Sequence, residues 1–453
     1  MSNVSVVVIG GGFAGLAAAT ALAEAGVRVT LLEKRSRLGG RASSFRDAAT
    51  GDTIDNGQHL FMGCYTETIA FLRRIGTLDR IAFQPNLHVT FLEPGRSPDV
   101  LRCPPLPSPW HLAGGLVGLR GLTWGEKWAA RRVARAVRAG GASAANGAAV
   151  GEWLRRLGQS DRIAERFWNI IALAALNDEP SHSSAGLFAA VLSQALFASG
   201  SGSRLGVSRV GLSELYTEAA VRFVESRGGV VRTGIGVAGV AVDGGRVQRV
   251  QLSNGEVLQA SVYISAVPWR ELSLMLPSSL VADDPWFARL QRLRSSPIIS
   301  INLWFDRPVT TVEFAALLKT QTQWLFNKQR LFAESGTPAR YLSLVVSGAH
   351  ALIERPSEEL TAMAVEELRR LVPASGAARL IHAHVIKERH ATLSPAVDVT
   401  PYRLEQETPI PNLLLAGDWT ASALPATIES AVASGHRCAA LARKLLAQQH
   451  ITE

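Results

Sequence analysis

The beginning of the chain constrains its fold more than any other segment. Val6-Val7-Val8-Ile9 is a β-branched run suited to a buried parallel strand. It runs directly into Gly10-Gly11-Gly12-Phe13-Ala14-Gly15, which satisfies G-x-G-x-x-G. Gly10 permits the tight turn, Gly12 lets the backbone approach a pyrophosphate, and Gly15 lets helix and strand pack closely. The Ala/Leu-rich stretch that follows, ending at Gly26, reads as a helix. Its first amides, at Phe13 and Ala14, and its positive dipole end would face phosphate. Val27 to Leu32 is a second strand, and Glu33 ends it about 20 residues after the glycines, followed by Lys34. A carboxylate there accepts hydrogen bonds from a ribose hydroxyl and repels a 2′-phosphate. A glycine pattern alone is a weak sign. Strand, glycines, helix, strand and acid in that order define a dinucleotide site.

The same segment could be mistaken for a membrane span. Val4 to Ala23 carries no charge and has about the length that crosses a bilayer. No basic stretch precedes it, and Gly10, Gly11 and Gly12 interrupt it. Its halves also differ in character. The expectation is no signal peptide and no transmembrane helix. Composition agrees with a folded, core-rich protein: of 453 residues, 47% are hydrophobic and 19% charged. That length suits a large single unit or two to three domains. Three cysteines, Cys64, Cys103 and Cys438, do not make a disulfide scaffold. The net charge of +9 comes almost wholly from arginine, with clusters at Arg131, Arg132, Arg135 and Arg138 and at Arg289, Arg292 and Arg294. These are either solvated helix faces or attraction to an anionic membrane surface. No zinc spacing or RNA-binding signature accompanies them, so nucleic acid is not an expected partner.

Arg37-Leu38-Gly39-Gly40-Arg41-Ala42-Ser43-Ser44 comes directly after the ribose acid. A nicotinamide dehydrogenase has no general need of it. A second glycine pair with Arg41 suits a longer cofactor, FAD, with Gly39 and Gly40 allowing close approach. In this respect the chain resembles flavoproteins of the amine oxidase and phytoene desaturase type. The resemblance implies that the far end of the chain closes the FAD site. Leu413-Leu414-Leu415-Ala416 is a short apolar strand ending in Gly417-Asp418. Asp418 can hold a ribityl hydroxyl. A helix from about Thr427 to Leu446 would point its start, Thr427 and Ile428, at the flavin pyrimidine, where reduction builds negative charge. Between these ends, Gly229 to Val237 reads as one β segment. Val247 to Val250 and Val262 to Ala266 follow, joined by an Asn254-Gly255 hairpin turn. The resemblance aligns Val237 with a backbone contact to the adenine.

The middle of the chain carries the candidate chemistry. Asp55-Asn56-Gly57-Gln58-His59 follows the first cofactor segment. In the family, the comparable segment passes beside the flavin ring, where Gly57 would permit close approach. His59 is either a proton donor or a structural and flavin contact. Asp55 either orients the segment or acts as an acid. His182, in the break between two apolar helical segments, is a weaker proton-donor candidate. Cys103 to Pro109 is proline-rich and leads into a stretch bearing Trp110, Leu112, Leu116, Trp124 and Trp128. It is either an ordinary loop and packed helix or a monotopic element dipping into lipid, with arginines meeting head groups. No Walker A, C-x-x-C, H-E-x-x-H or G-x-S-x-G sequence is present, and no metal site is expected.

The segments Asp55 to His59, Cys103 to Leu112, Leu173 to Asn177 and Ala416 to Thr420 resemble the squalene-associated branch, the hydroxysqualene dehydroxylases of hopanoid synthesis. Leu205 to Val210 departs from it, with Gly and Ser in place of a more apolar, Pro-containing run. The resemblance implies an α/β fold with a Rossmann-like FAD domain of the GR2 type, an interleaved α+β substrate domain and a helical membrane-associated portion. FAD-domain segments are expected at 1–80, 206–275 and 406–453, and substrate-domain segments at 81–205 (helical, membrane-facing) and 276–405 (sheet). It further implies a long isoprenoid substrate, an unidentified electron donor, and a peripheral place on the cytoplasmic face of the inner membrane. Phytoene-type desaturation, amine oxidation and a non-enzymatic flavin-bearing scaffold are the alternatives.

Overall fold

Five parallel strands, drawn from distant parts of the chain, carry the dinucleotide motif. A computed structural model describes residues 6–140, 145, 147–332 and 340–452, so Val4, the first residue of the uncharged stretch, lies outside them. The strand order is Val230–Thr233, Val29–Glu33, Val6–Ile9, Val262–Ser265, Leu413–Leu415. The opening strand is fully buried, as expected for a central parallel strand covered on both faces. Helix Phe13–Glu24 packs on this sheet between Leu212–Glu225 and the closing helix Ile428–Thr452. The approach is very close. A Cβ at Gly15 would overlap the carbonyl oxygen of Gly10, and one at Gly435 would overlap that of Ala14. The third motif glycine therefore does what its position predicts. Gly435 makes the same kind of contact without any motif to announce it.

Two expectations about the strands need correction. The segment from Gly229 does not run on to Val237. It breaks at Gly234, where φ is 73°. Val230–Thr233 joins the parallel sheet, and Val237–Asp243 starts a separate antiparallel sheet with Arg246–Leu252 and Val257–Leu258. The Asn254-Gly255 turn joins these last two strands. Val262–Ser265 instead returns to pair with Val6–Ile9.

A second large sheet has seven strands, in the order Leu380–Leu393, Ser295–Phe305, Tyr341–Ser347, Trp324–Asn327, Phe314–Leu317, His88–Leu92, Asp99–Arg102. Helix Ser357–Leu371 covers one face, over Ile299, Ile301, Leu303 and Leu344. The alternate residues, Ile298 and Ser300 among them, face the cavity described below. Helices Trp110–Gly118, Trp124–Arg138, Val150–Arg156, Asn169–Leu176 and Ala185–Val191 build the flank. Thr123 and Glu126 start the second of these with a capping box. The family-divergent run at Leu205–Ser208 is a buried strand between Phe61–Met62 and Ile81–Phe83. Gly206 is required there, since a Cβ would lie 2.8 Å from the Phe83 ring. Among the described residues, no helix is long and apolar enough to cross a membrane.

Candidate active site

A continuous cavity of about 500 Å³ joins the two sheets. One wall is the strand-to-helix turn from Gly10 to Ala14, with Glu33, Lys34 and Val237. Gly39, Gly40, Arg41 and the segment Asn56 to Leu60 continue it, and Gly417, Asp418, Thr427 and Ile428 close it. The opposite wall is largely apolar: Ala174, Ile298, Trp324, Phe326, Val345 and Ile386.

Each polar end of this cavity suits part of a flavin dinucleotide. Leu16 makes the first helical bond, to Gly12, so the amides of Phe13 and Ala14 have no intrahelical acceptor. Gly12 and Gly40 face one another, with the Gly40 Cα 4.0 Å from the Cβ position of Gly12. Side chains on either would fill the channel. Glu33 is buried, and its two oxygens accept from the amides of Gly11 at 2.8 Å and Arg35 at 2.9 Å. Each oxygen keeps a lone pair for a ribose hydroxyl. Arg41 donates to Asp418 at 2.6 Å and to the Ala391 carbonyl at 2.7 Å. Two residues each expected to touch the cofactor thus also hold one another, tying the start of the chain to its far end. At the start of the closing helix, the Thr427 hydroxyl accepts from the Ser430 amide at 3.2 Å. The Nε2 of His59 is buried with no hydrogen-bond partner among the described residues. Such an orphaned atom, beside a channel that the side-chain-free Gly12 and Gly40 leave open, fits a bound cofactor.

The family model described as flavin containing amine oxidoreductase matches residues 13–442. The chain belongs to that family. It is an FAD-dependent oxidoreductase. The hydroxysqualene dehydroxylase of Sinorhizobium fredii is 30% identical, over 97% of this chain and 98% of its own. The 15-cis-phytoene desaturase of Glycine max is 29% identical, over 97% of this chain and 79% of its own. Among solved structures, an oxidoreductase from Methanosarcina mazei superposes with a TM-score of 0.75 at 16% identity, covering 96% of this chain and 99% of that one. Cyclohexylamine oxidase from Brevibacterium oxydans gives 0.69 at 17%, covering 98% of this chain and 100% of its own.

Within this flavoprotein, all the residues expected to touch the cofactor line the cavity except Gly15, which packs behind it against Gly10. Two of the three candidate acids do not reach the cavity. His182 is exposed on the turn after Pro180. Asp55 is buried behind the wall. Its carboxylate accepts from Lys328 at 2.6 Å, from the Ser44 hydroxyl at 2.7 Å and from the Leu212 amide at 3.0 Å. Lys328 also donates to Gln58 at 2.6 Å. Asp55 therefore positions the Asn56–His59 segment, and its oxygens are committed to that task.

His59 reaches the cavity, but burial drives its pKa down to about 4. Asp55 opposes this shift, while Arg41 and Lys328 reinforce it. The ring is therefore neutral near pH 7, which does not suit an imidazolium acid. It suits a hydrogen-bonding group whose orphaned nitrogen faces ligand. The expected pH profile of flavin turnover is level, as far as His59 contributes, from pH 8 down to about 5, with loss only toward pH 4. An increase in rate through pH 6.5 on acidification would show instead that the protonated ring is the active form. His59→Gln should retain more activity than His59→Ala.

Several participants escaped sequence reading. Tyr216 stacks on Phe13 with ring centroids 3.8 Å apart. Its hydroxyl donates to the carbonyls of Gly39 at 2.9 Å and Ala42 at 3.1 Å, which sets the second glycine loop. Glu388 lines the cavity and accepts from the Asn56 side chain at 3.2 Å. Neither belongs to a short motif. Only their positions on an amphipathic helix and a long strand could have drawn notice.

Proposed function

We propose that this enzyme reductively removes an allylic hydroxyl from a long isoprenoid, converting hydroxysqualene to squalene. The observation that carries the reading is reciprocal coverage. Alignment with the Sinorhizobium dehydroxylase spans 98% of that protein, whereas the plant desaturase is spanned over 79%. The apolar wall of the cavity supports a hydrocarbon substrate. The flavin-side loop, with Ala421, Ser422 and Ala423, lacks the aromatic cage of an amine site, and Trp419 is buried with its Nε1 on the Val267 carbonyl at 3.0 Å. Bound and reduced, FAD held by Gly12, Glu33, Arg41 and Asp418 would supply the hydride for carbon and the proton with which the hydroxyl is lost as water. Ile298, Trp324, Phe326 and Val345 exclude bulk water from that event. His59, as a neutral ring, holds the substrate hydroxyl or cofactor edge by hydrogen bonding. Anaerobic mixing of flavin-reduced protein with hydroxysqualene should give squalene and oxidised flavin. Unchanged hydroxysqualene, together with desaturation of phytoene by the oxidised protein, would select the desaturase alternative that the 29% identity to plant enzymes favours.

Such a substrate resides in lipid, and one surface suits delivery from it. Trp110, Val117, Trp124 and Trp128 are 65%, 52%, 71% and 64% exposed on the adjoining helices Trp110–Gly118 and Trp124–Arg138. Arg131 lies over the Trp128 ring at 3.4 Å, and Lys127 over that of Trp124 at 4.8 Å. Indole at the interface with cations beside it fits an anionic bilayer, here the cytoplasmic face of the inner membrane. Burying a large apolar side chain is worth roughly 1.5–3 kcal/mol. The double variant Trp124→Ser/Trp128→Ser should therefore lower binding to anionic vesicles more than about tenfold while keeping its FAD. Unchanged co-sedimentation would exclude this face.

A further inference from the structure

A second constellation lies on the same sheet, beyond the cavity. His382-Ala383-His384 sits on the edge strand Leu380–Leu393, so both imidazoles project from one face. Asp47 comes from the turn between strands Ser44–Arg46 and Thr53–Asp55. The chain separates Asp47 from His384 by 337 residues, yet the three donor atoms lie within 4.8 Å of one another. His384 Nδ1 is 3.2 Å from Asp47 Oδ1, and His382 Nε2 is 3.2 Å from Asp47 Oδ2. The His382 nitrogen is buried and makes no aligned hydrogen bond despite that proximity. Nitrogens and oxygens bound to one ion at about 2.0–2.2 Å sit roughly 3.0–3.5 Å apart. Both close spacings match that value, one to each carboxylate oxygen, and the donor set as a whole spans up to 4.8 Å, so binding draws the imidazoles together by side-chain rotation.

The surroundings hold the donors in place. Asp47 Oδ2 accepts from the Ala49 amide at 3.1 Å, the Thr50 amide at 2.9 Å and the Thr50 hydroxyl at 3.1 Å, which fixes the carboxylate; Oδ1, which faces His384, carries none of these turn bonds. Trp304 lies against the His382 ring with centroids 5.0 Å apart, and is itself anchored by its Nε1 on Asp52 at 2.7 Å. Phe45 lies 5.5 Å from the His384 ring. Phe45, Ile54, Trp304, Tyr341 and Ile386 form a small apolar plug between this place and the cavity. The His side chains are 31% and 36% exposed, which places the donors just beneath the surface.

We propose that Asp47, His382 and His384 bind one divalent transition-metal ion, such as zinc, with solvent completing its coordination. Two imidazoles and one carboxylate favour borderline ions over magnesium or calcium. A bound ion would join the Ser44–Asp55 hairpin to the edge strand of the large sheet. That hairpin leads directly into Asn56–His59, the loop beside the cofactor. The site is separate from the flavin cavity, and the proposal stands whichever isoprenoid the enzyme uses.

The test uses tag-free holoenzyme stripped with a chelator and titrated calorimetrically with Zn²⁺, then with Co²⁺ to observe its visible ligand-field absorption. One equivalent should bind with a Kd below about 100 µM, and thermal unfolding should shift upward on saturation. His382→Ala and His384→Ala should each weaken binding at least tenfold while keeping one FAD per chain. FAD content serves as the check on folding, because Asp47 itself carries turn hydrogen bonds and is a poorer target. Absence of binding at 100 µM by the wild type, or undiminished binding by both histidine variants, would overturn the proposal.

Discussion

Gly15→Ala should yield a chain that does not hold FAD. The added methyl would overlap the Gly10 carbonyl oxygen and come within 3.3 Å of the Ala266 Cβ. Gly10 cannot yield. It is held at a φ of 108°, and its amide donates to the Leu32 carbonyl at 2.7 Å. No flexible side chain is available to absorb the clash, so helix and sheet must separate. Overpacking usually costs about 1–3 kcal/mol, and a backbone overlap belongs above that range. The phosphate cradle would be displaced with it. Gly26→Ala is the control: its φ is 74°, but nothing lies within 4 Å of the new methyl. It should lose about 1 kcal/mol and keep the cofactor. Flavin absorbance per chain and thermal unfolding measure both. A Gly15→Ala protein purified with full FAD would refute the close helix–strand contact.

The second large effect is expected from Lys328→Ala. Lys328 is 1% exposed and holds Asp55, 3% exposed at its side chain, at 2.6 Å. Burial pulls the Lys328 pKa down and Asp55 pushes it back up. Removing the cation leaves a buried carboxylate unpaired, which typically costs 3–5 kcal/mol, about half of an ordinary stability margin. The loop from Asn56 to His59 would lose its anchor as well, because Lys328 also holds Gln58. The double variant Asp55→Asn/Lys328→Met should recover much of the loss, since a neutral pair needs no counter-charge. Denaturant unfolding of the singles and the double gives the coupling. A loss below about 1 kcal/mol in Lys328→Ala would mean that water reaches Asp55.

The sequence was most informative where function requires a particular backbone. Gly10, Gly40 and Gly417 stand out because each holds a positive φ that favours glycine, and each lines the cavity. Chemistry that depends on assembly was less visible. Asp55 was identified as an acidic residue beside the flavin segment, but its partner Lys328 lies 273 residues away. His59 was marked as a titratable group, whereas its neutrality comes from burial, which local sequence does not reveal. His182, the weaker candidate in sequence, lies at the surface. The Asn254-Gly255 turn is legible, but the strand it leads into is Val257–Leu258, two residues and too short to carry a pattern of its own. Val262–Ser265 was taken by the parallel sheet, since its four buried residues require cover on both faces.

The order of the parallel sheet also bears on how the chain comes to be folded. Its central strand pairs Val6 with Val262, and the edge strand at Leu413–Leu415 is added about 400 residues after the first. The groove over helix Phe13–Glu24 waits for Gly435. A ribosome would thus release the glycine turn early, with one edge of the opening strand unpaired until Val262–Ser265 emerges, past the middle of synthesis. Contacts of such long sequence separation fold slowly and leave intermediates open to aggregation. The cavity is complete only once Gly417, Asp418 and the start of the closing helix are in place, so added FAD should raise the yield of folded enzyme at that last stage.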